Sequence, residues 1–390
     1  MASPKKVVIL GATGSIGTSA LRVIRGHREH LQLVGIAGNS ESEKLAQVAR
    51  EFEVEHVVLY DPQACESART ADLFSPDTDL RSGRDGLIHL ATLTAADIIL
   101  VAIVGIQALH PTLAALEAGK DIALASKEIL VLAGQCITDA ARRNQASILP
   151  ADSEHNAIFQ CLEGNRSAQI DKLILTASGG RFRDYSLEQM KEIQPQDAIQ
   201  HPNWSMGPKV TVDSATMANK GLELIEAHWL FSMEPTQIEI VVHPQSIVHS
   251  MVQFVDGSIL AQLSPPSMTF AIQHTLLYPK RFKGIHESLD FSKLLTLEFS
   301  PPDVQKFPCL RLARETLEAG GVAPALFNAA NEVAVTAFLE NRIAFLDIPK
   351  IIAKTLADSS NSSPNTLDEI LQADADARKI AAKAIESNRY

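Results

Sequence analysis

The sequence is poor in cysteine and contains no long apolar run. Its four cysteines lack the spacing of a zinc site or a redox pair, so we expect reduced structural thiols. The longest apolar run, residues 98–106, falls far short of the roughly 18 residues of a membrane-spanning helix and is better read as a buried strand. Basic residues are scattered in a chain of net charge −11, which argues against nucleic acid as a partner.

A β-rich run begins almost at the amino terminus, at Lys5. It leaves no room for a signal or transit peptide. Because the chain starts with Met, we expect a cytoplasmic bacterial protein rather than a mature plastid form that has lost its transit peptide. The length of 390 residues suggests two or three domains.

A glycine-rich turn follows the first predicted strand. Gly11, Gly14 and Gly17 stand between residues 7–10 and a helical pattern that starts near Ile16. Such a turn lets a pyrophosphate approach the backbone and the N–H groups of the helix. The spacing differs from the commoner Gly-x-Gly-x-x-Gly, so a purely structural turn is the alternative. Because predicted strands and helices alternate up to residue 150, we expect a buried parallel sheet of the Rossmann type.

The second predicted strand, residues 31–37, ends in Gly38-Asn39-Ser40. An NAD site usually has an acidic residue there, whereas small neutral residues leave room for a 2′-phosphate. The sequence therefore favours NADP, although Glu41 and Glu43 are near enough to supply the missing acid.

Charged residues follow two later predicted strands. Lys127 and Glu128 lie at a carboxyl strand end, the edge where ligands bind, or are ordinary surface charges. Asp152 and Glu154 follow residues 147–149, and in an extended backbone they would share one face and suit Mg²⁺ or Mn²⁺. The alternative for these two carboxylates is a solvated helix start.

The second predicted domain carries the features of a gated anion site. Ser178-Gly179-Gly180 forms a candidate oxyanion nest, and an irregular loop with apolar residues spans 201–209. A helix follows, which Asp213 or Ser214 could cap. It carries Asn219, Lys220 and Glu223 on one face, where a lysine–glutamate pair is usually only a surface ion pair.

Beyond this helix the pattern changes twice. Three predicted strands follow, the last two joined by a two-residue hairpin at Asp256-Gly257. We expect His243 and His249 in these strands to be structural. Four predicted helices complete the chain from residue 310.

These motifs, in this order, resemble the 1-deoxy-D-xylulose 5-phosphate reductoisomerase family, over residues 5 to about 390. The segments that carry the resemblance are 11–17, 125–128, 152–156, 178–180, 201–207, 212–217 and 219–223. Two positions depart from many members: Ser126 replaces Asn, and Ser267 replaces Asp before Met268.

The resemblance implies an α/β fold in four parts. These are an NADPH-binding Rossmann-like domain at 1–150, a central catalytic and dimerisation domain at 151–280 with a mainly antiparallel sheet, a linker at 281–309 and a helical bundle at 310–390. It implies a homodimer that converts 1-deoxy-D-xylulose 5-phosphate, a sugar phosphate, into 2-C-methyl-D-erythritol 4-phosphate in isoprenoid biosynthesis. The implied cofactors are NADPH and Mg²⁺ or Mn²⁺, with Co²⁺ as a further candidate.

The resemblance also implies a role for each residue that matches a family motif. The metal ligands would be Asp152, Glu154 and Glu223, which with Lys127 form the catalytic set. Substrate contacts would be Lys127, Ser153, Glu154, Ser178, His201, Ser214, Asn219, Lys220 and Glu223. NADPH contacts would be Thr13, Gly14, Ser15, Ile16, Gly38, Asn39, Ser40, Ser126, Glu128 and Gly207, and the lid would contain Trp204, Met206 and Met268.

Two rival hypotheses remain at this point. A metal-free NADP-dependent dehydrogenase of a phosphorylated substrate would leave the three carboxylates unexplained. A catalytically silent NADPH-binding protein would be expected to have lost some of these ligands.

Overall fold

The structure, a computed structural model, describes residues 3–165, 169–204 and 206–387. Ser205, within the predicted loop 201–209, lies outside the described residues. The chain divides into two compact units, which are described separately. The first comprises the residues up to 129, 135–156 and 267–289, and the second comprises 130–134, 157–266 and the residues from 290 onward. None of the described helices is long and apolar enough to cross a membrane.

The first unit contains a parallel sheet of seven strands. Its order is β4-β3-β2-β1-β5-β6-β7, and every pairing is parallel. This confirms the predicted Rossmann-like sheet. The strands are β1 Lys5–Leu10, β2 Leu31–Gly38, β3 His56–Leu59, β4 Asp79–Ser82, β5 Ile98–Val101, β6 Asp121–Leu124 and β7 Ile148–Pro150.

Helices connect these strands. They are α1 Ser15–Gly26, α2 Ser42–Phe52, α3 Pro62–Thr70, α4 Gly83–Ala91, α5 Leu109–Glu117 and α6 Glu128–Arg143. The next helix, α7 Ser153–Leu162, leads from β7 into the second unit. A later helix, α12 (Met268–Leu277), belongs to the first unit and packs against α1 and β7. The central strands β1 and β5 are almost wholly buried, which explains their continuous apolar sequence. The edge strand β4 was missed, because its residues Asp-Leu-Arg-Ser are partly exposed and have no apolar pattern.

The second unit contains a mixed sheet of four strands in the order β11-β10-β8-β9. The pairings of β10 with β8 and β11 are antiparallel and that of β8 with β9 is parallel, so the predicted mainly antiparallel sheet is confirmed. The strands are β8 Ile170–Ala177, β9 Ile238–Val242, β10 Val248–Phe254 and β11 Ile259–Leu263. The hairpin loop has three residues instead of the predicted two, since Phe254 N–H donates to Ser258 O and Gly257 adopts φ +83°.

Helices fill the rest of the second unit. They are α8 Leu187–Met190, α9 Pro195–Ala198, α10 Pro208–Ala215, α11 Ala218–Phe231, α13 Pro308–Ala319, α14 Ala323–Leu339, α15 Ile348–Asp358 and α16 Leu367–Ser387. The last four confirm the predicted carboxyl-terminal helices. They share one apolar core with the four-stranded sheet and with α11. Within this core, α13 and α14 contact α11 directly.

Two local predictions were wrong. Asp152 and Glu154 do not lie on an extended segment: α7 begins at Ser153, so Glu154 occupies its first turn, as in the helix-start alternative. Asp213 and Ser214 do not cap α11, because they lie inside α10. Met217, in a left-handed conformation at φ +60°, separates the two helices, and the Thr216 hydroxyl oxygen accepts from the N–H of Ala218, the first residue of α11, at 3.3 Å.

Candidate active site

The glycine turn after β1 leaves the start of α1 open. Gly14 precedes the helix, no side chain caps its N–H groups, and a Cβ on Gly14 would find only the oxygen of Gly11, at 3.6 Å. A Cβ on Gly17 would instead collide with Gly11 O and with the backbone of Ala12. Gly17 thus serves close packing, whereas Gly14 leaves space beside N–H donors that suit a phosphate.

The end of β2 lies beside this turn. The carbonyl oxygen of Ala37 accepts hydrogen bonds from the N–H groups of Gly11 and Ala12, at 3.0 and 2.7 Å. Asn39 and Ser40 follow and are exposed. The turn and the end of β2 therefore lie side by side and form one surface.

Glu41, one of the two acidic residues considered for an NAD site, lies at this surface. The Lys44 ammonium forms an ion pair with the Glu41 carboxylate and, with a smaller contribution from Thr13, holds the pKa of Glu41 below its usual value. A paired glutamate is a poorer acceptor for a ribose hydroxyl. Lys44, which the sequence reading overlooked, adds positive charge to this surface.

A second segment with predicted site residues follows β6. The Ser126 hydroxyl donates to the carbonyl oxygen of Ile103, with 2.5 Å between the oxygens, and is buried. Ser126 therefore anchors the segment to the chain that follows β5. Glu128, in the first turn of α6, is also buried.

Lys127 and Asp152 bring two neighbouring strand ends together. Lys127 follows β6, Asp152 follows β7, and Lys127 Nζ lies 2.6 Å from Asp152 Oδ2. Each side chain is 12% exposed. Ser153 Oγ donates to Glu154 Oε2 at 2.5 Å. The carboxylates at this sheet edge are thus oriented by an ammonium group and a hydroxyl.

A third carboxylate lies in the second unit, on α11. Glu223 accepts hydrogen bonds from the Asn219 amide through one oxygen and from the Lys220 ammonium through the other. The side chain of Glu223 is 1% exposed and that of Lys220 5%. The alternative of a solvated surface ion pair is therefore wrong, because both charges are buried.

Ser178 and His201 form a polar pair near α10. His201 Nδ1 accepts from the backbone N–H groups of Asn203 and Trp204, at 3.1 and 3.0 Å, so the ring proton is on Nε2. Nε2 then donates to Ser178 Oγ at 3.0 Å, and Gly180 N–H donates to the same oxygen at 3.2 Å. The hydroxyl proton of Ser178 remains available for an anion.

The protonation state of His201 fits this arrangement. Burial, and secondarily the charge of Arg183, lowers the pKa of His201 to about 4. The neutral ring, with Nδ1 as an acceptor, is accordingly the form present near pH 7. Arg183 was not singled out from the sequence; its guanidinium donates to the carbonyl oxygen of Ser178 at 3.1 Å.

Gly180 brings this pair close to Ser214. Its φ is +71°, and an added Cβ would lie 2.6 Å from the carbonyl oxygen of Ser214. The turn after β8 therefore packs against the end of α10, just before the start of α11. Within the second unit, the predicted phosphate residues Ser178, His201 and Ser214 meet in this region, and Asn219 and Lys220 follow on the first turn of α11.

The predicted lid loop is fixed at one end. Asn203 Nδ2 donates to Pro244 O at 2.8 Å and to Ser246 Oγ at 3.0 Å, both in the β9–β10 connection. The Trp204 ring lies edge-on to His249, with the centroids 6.2 Å apart. Met206 is half-buried and Gly207 exposed. Asn203, a second residue that the sequence reading missed, tethers the loop.

The two histidines expected to be structural, His243 and His249, both bond to the backbone. His249 Nε2 contacts the carbonyl oxygen of Ser264 at 3.1 Å, and His243 Nε2 accepts two backbone N–H groups at 3.1 Å. In the first unit, the predicted lid residue Met268 begins α12, and Ser267 Oγ caps that helix by accepting from Thr269 N–H. Ser267 stands where many family members have Asp, and it thus keeps an N-capping residue at this position.

Three family models together match most of the chain. Residues 7–134 match 1-deoxy-D-xylulose 5-phosphate reductoisomerase, 148–231 match its C-terminal domain model, and 263–380 match a DXP reductoisomerase C-terminal domain. A reductoisomerase from Bacillus anthracis is 47% identical over 377 residues, which cover 97% of each chain. The chain belongs to the 1-deoxy-D-xylulose 5-phosphate reductoisomerase family.

Solved reductoisomerases share the whole fold. The enzyme from Zymomonas mobilis in complex with NADPH superposes with a TM-score of 0.92 at 45% identity, covering 98% of this chain and 100% of that one. A reductoisomerase in complex with NADPH, fosmidomycin and magnesium superposes with a TM-score of 0.90 at 44% identity, covering 98% of each chain. The family predicted from the motifs is therefore confirmed.

Proposed function

We propose that this protein catalyses the NADPH- and divalent-metal-dependent isomerisation and reduction of 1-deoxy-D-xylulose 5-phosphate to 2-C-methyl-D-erythritol 4-phosphate. The observation that carries the proposal is the oriented carboxylate set on a chain of this family. Asp152 and Glu223 each bond to a lysine, and Glu154 to Ser153. A related enzyme binds NADPH, magnesium and fosmidomycin together.

The cofactor would lie along the first unit's open turn. The uncapped α1 start and the space at Gly14 suit the pyrophosphate, and the neutral Asn39 and Ser40 with the Lys44 ammonium suit a 2′-phosphate. When bound, NADPH supplies the hydride. The chain's part is to orient it, through these residues and through the others that match the family's NADPH motifs: Thr13, Ser15, Ile16, Gly38, Ser126, Glu128 and Gly207.

The divalent ion would be held by Asp152, Glu154 and Glu223. Carboxylate oxygens are the ligands that Mg²⁺ and Mn²⁺ prefer. When bound, the ion supplies a Lewis acid for a carbonyl and an adjacent hydroxyl. Lys127 and Lys220 balance the carboxylates' negative charge, and Lys127 with Ser153 would contact the substrate's carbon chain.

The substrate phosphate would bind in the second unit. Ser178 offers a hydroxyl proton, Ser214 a second hydroxyl, and Asn219 and Lys220 offer an amide and an ammonium group on the first turn of α11. Neutral His201 fixes the direction of the Ser178 hydroxyl. Trp204 and Met206, with Met268, would cover the substrate and keep water from the aldehyde intermediate.

The decisive experiment follows NADPH oxidation with 1-deoxy-D-xylulose 5-phosphate, with and without Mg²⁺ or Mn²⁺. We expect turnover only when both the substrate and a divalent ion are present. Metal-independent reduction would instead support a dehydrogenase of another phosphorylated substrate. Tight NADPH binding without turnover under any metal would support a silent binding protein.

We also propose that the protein is a homodimer, assembled through its second unit. The edge strand β11 exposes Ile259 and Leu260, and the segment before α13 exposes Phe291 and Leu294 by 76% and 95%. Exposed apolar side chains beside an open strand edge are typical of an interface. Light scattering should give a dimer mass for the wild type and a monomer mass for the double variant Ile259→Lys/Leu260→Lys.

We further propose that the protein acts in the bacterial cytoplasm. The support is that its relatives come from bacteria such as Bacillus anthracis and Zymomonas mobilis. Fractionation of the producing cells should recover the NADPH-oxidising activity with other cytoplasmic enzymes. Recovery with membranes would contradict the proposal.

A further inference from the structure

A cluster of nitrogen and oxygen ligands lies at the other edge of the parallel sheet, away from the glycine turn. His56 is the first residue of β3, Asp79 is the first residue of β4, and the two are register partners. His89 lies on α4, which packs against both strands. The amino-terminal strand ends therefore gather two imidazoles and a carboxylate that the proposed reaction does not use.

The spacing of the three groups matches a metal site. Asp79 Oδ2 lies 3.5 Å from His56 Nδ1 and 3.4 Å from His89 Nε2. The three ligand atoms all lie within 4.8 Å of one another. Tetrahedral zinc with bonds of about 2.1 Å separates its ligand atoms by about 3.4 Å. The two distances to the carboxylate already have this value.

The surroundings of the His56 ring also favour a bound metal ion. Its Nδ1 atom is buried and faces the Asp79 carboxylate at 3.5 Å, a distance too long for a good hydrogen bond, although the residue as a whole is partly exposed. A buried ring nitrogen without a hydrogen-bond partner is unfavourable unless another group satisfies it. The side chains of Asp79 and His89 are 35% and 38% exposed, so an ion could enter from solvent.

We propose that His56, Asp79 and His89 form a second divalent-metal site, selective for Zn²⁺, with water as the fourth ligand. Two imidazoles and one carboxylate favour zinc over magnesium, which prefers oxygen ligands alone. The site is thus chemically distinct from the carboxylate set assigned to Mg²⁺ or Mn²⁺. It would join β3, β4 and α4 at the edge of the sheet and stabilise that edge.

Arg81 sets the affinity of this site. Its Nε lies 2.9 Å from each oxygen of Asp79, so the guanidinium competes with an ion for the carboxylate. The Arg81 side chain is almost half exposed and can turn into solvent. Arg81→Gln keeps all three ligands and removes the competing charge, so it should tighten zinc binding.

The test is a Zn²⁺ titration of the full-length protein and of its ligand variants in excess Mg²⁺, so that any zinc that displaces magnesium from the oxygen site is common to all of them. Beyond this shared binding, calorimetry should show one Zn²⁺ bound per chain, with affinity reduced at least about tenfold in His56→Gln, Asp79→Asn and His89→Gln. Zn²⁺ should also raise the melting temperature of the wild type but not of His89→Gln. NADPH oxidation in Mg²⁺ should be unchanged in His89→Gln.

His30→Gln is the matched control. His30 Nε2 lies 3.3 Å from the Glu29 carboxylate, an exposed pair that does not belong to the three-ligand cluster. Its zinc affinity should equal that of the wild type. Equal zinc binding by the wild type and all three ligand variants, equal loss in His30→Gln, or weaker binding in Arg81→Gln would overturn the proposal.

Discussion

The two lysine–carboxylate pairs of the proposed site are built in different ways. Lys127 and Asp152 come from the ends of neighbouring strands, and each side chain remains 12% exposed. Lys220 and Glu223 lie one helical turn apart on α11, and their side chains are only 5% and 1% exposed. The first pair depends on the sheet that aligns its two strands. The second is local in sequence, but its burial depends on the helices packed around α11.

This difference determines what each lysine does before an ion binds. A buried carboxylate needs compensating charge far more than one that water still reaches. We therefore expect Lys220 to contribute mainly to the stability of the second unit, and Lys127 mainly to orienting Asp152. The predictions below test this distinction, from the largest expected effect to the smallest.

Glu223→Gln should reduce turnover by about 10³-fold, or about 4 kcal/mol, because it removes a proposed ligand of the catalytic ion. The dissociation constant for NADPH should change by less than about threefold, since the cofactor residues are intact. Steady-state kinetics and fluorescence titration measure the two quantities. Glu239→Gln, at an exposed ion pair, is the control. Equal losses in both quantities would indicate a folding defect.

Lys220→Met should lower the apparent free energy of unfolding of the metal-free protein by about 3 kcal/mol, because it removes a charge partner from a buried carboxylate. Lys127→Met should lower it by about 1 kcal/mol. Excess Mg²⁺ should restore part of the stability of the Lys220 variant, since an ion that binds only the folded state stabilises it. Urea unfolding of both variants, with and without Mg²⁺, measures the difference. Losses of equal size would remove the distinction between the pairs.

Acid should destabilise the second unit through His249. Burial lowers its pKa to about 4 from an ordinary value near 6.5, so the unfolded chain binds the proton more readily. Stability is therefore complete above pH 6.5 and is lost as the pH falls toward 4, by roughly 2 kcal/mol at pH 5. His249→Gln should lose less stability than the wild type between pH 7 and pH 5. Parallel losses in urea unfolding would contradict this.

Ser178→Ala should raise the KM for the sugar phosphate about tenfold, as expected for the loss of one hydrogen bond to a charged group. The KM for NADPH should not change, because Ser178 lies in the other unit. Ser258→Ala, in the β10–β11 hairpin, is the matched control. A change in both KM values would show that Ser178 supports the fold and not the phosphate alone.

The local parts of the site were predictable from sequence, and the tertiary parts were not. The turn at 11–17 was visible because glycine, strand and helix signals are adjacent in the chain. The burial of Lys220 and Glu223 was not visible, because it depends on what packs around α11 in the folded protein. A Cβ on Gly221 would lie 2.5 Å from the Cβ of Ala313, so α13, almost 90 residues downstream, packs directly on α11. A periodic pattern cannot show such an approach.

The directions and partners of the hydrogen bonds also could not be predicted from the sequence. The motif at 201–207 marks His201 as a site residue, but only the backbone N–H groups of Asn203 and Trp204 determine which ring nitrogen carries the proton. In the same way, Ser126 was assigned to the cofactor, and the structure shows its hydroxyl bonded to Ile103 O. Both outcomes depend on loop conformation, which short motifs do not specify.

One hydrogen bond in the second unit connects α14 with α10, two helices that are far apart in the sequence. Asn331, on α14, donates to Asp213 Oδ1 at 2.8 Å, and Lys209 contacts the other carboxylate oxygen of Asp213 at 2.9 Å. Asp213 adjoins Ser214, which is assigned to the substrate phosphate. A premature stop codon between residues 269 and 331 would remove this support of the phosphate site, together with helices of the shared apolar core, while leaving every proposed ligand encoded. Truncated alleles of this gene should be inactive even though all the recognisable motifs are present.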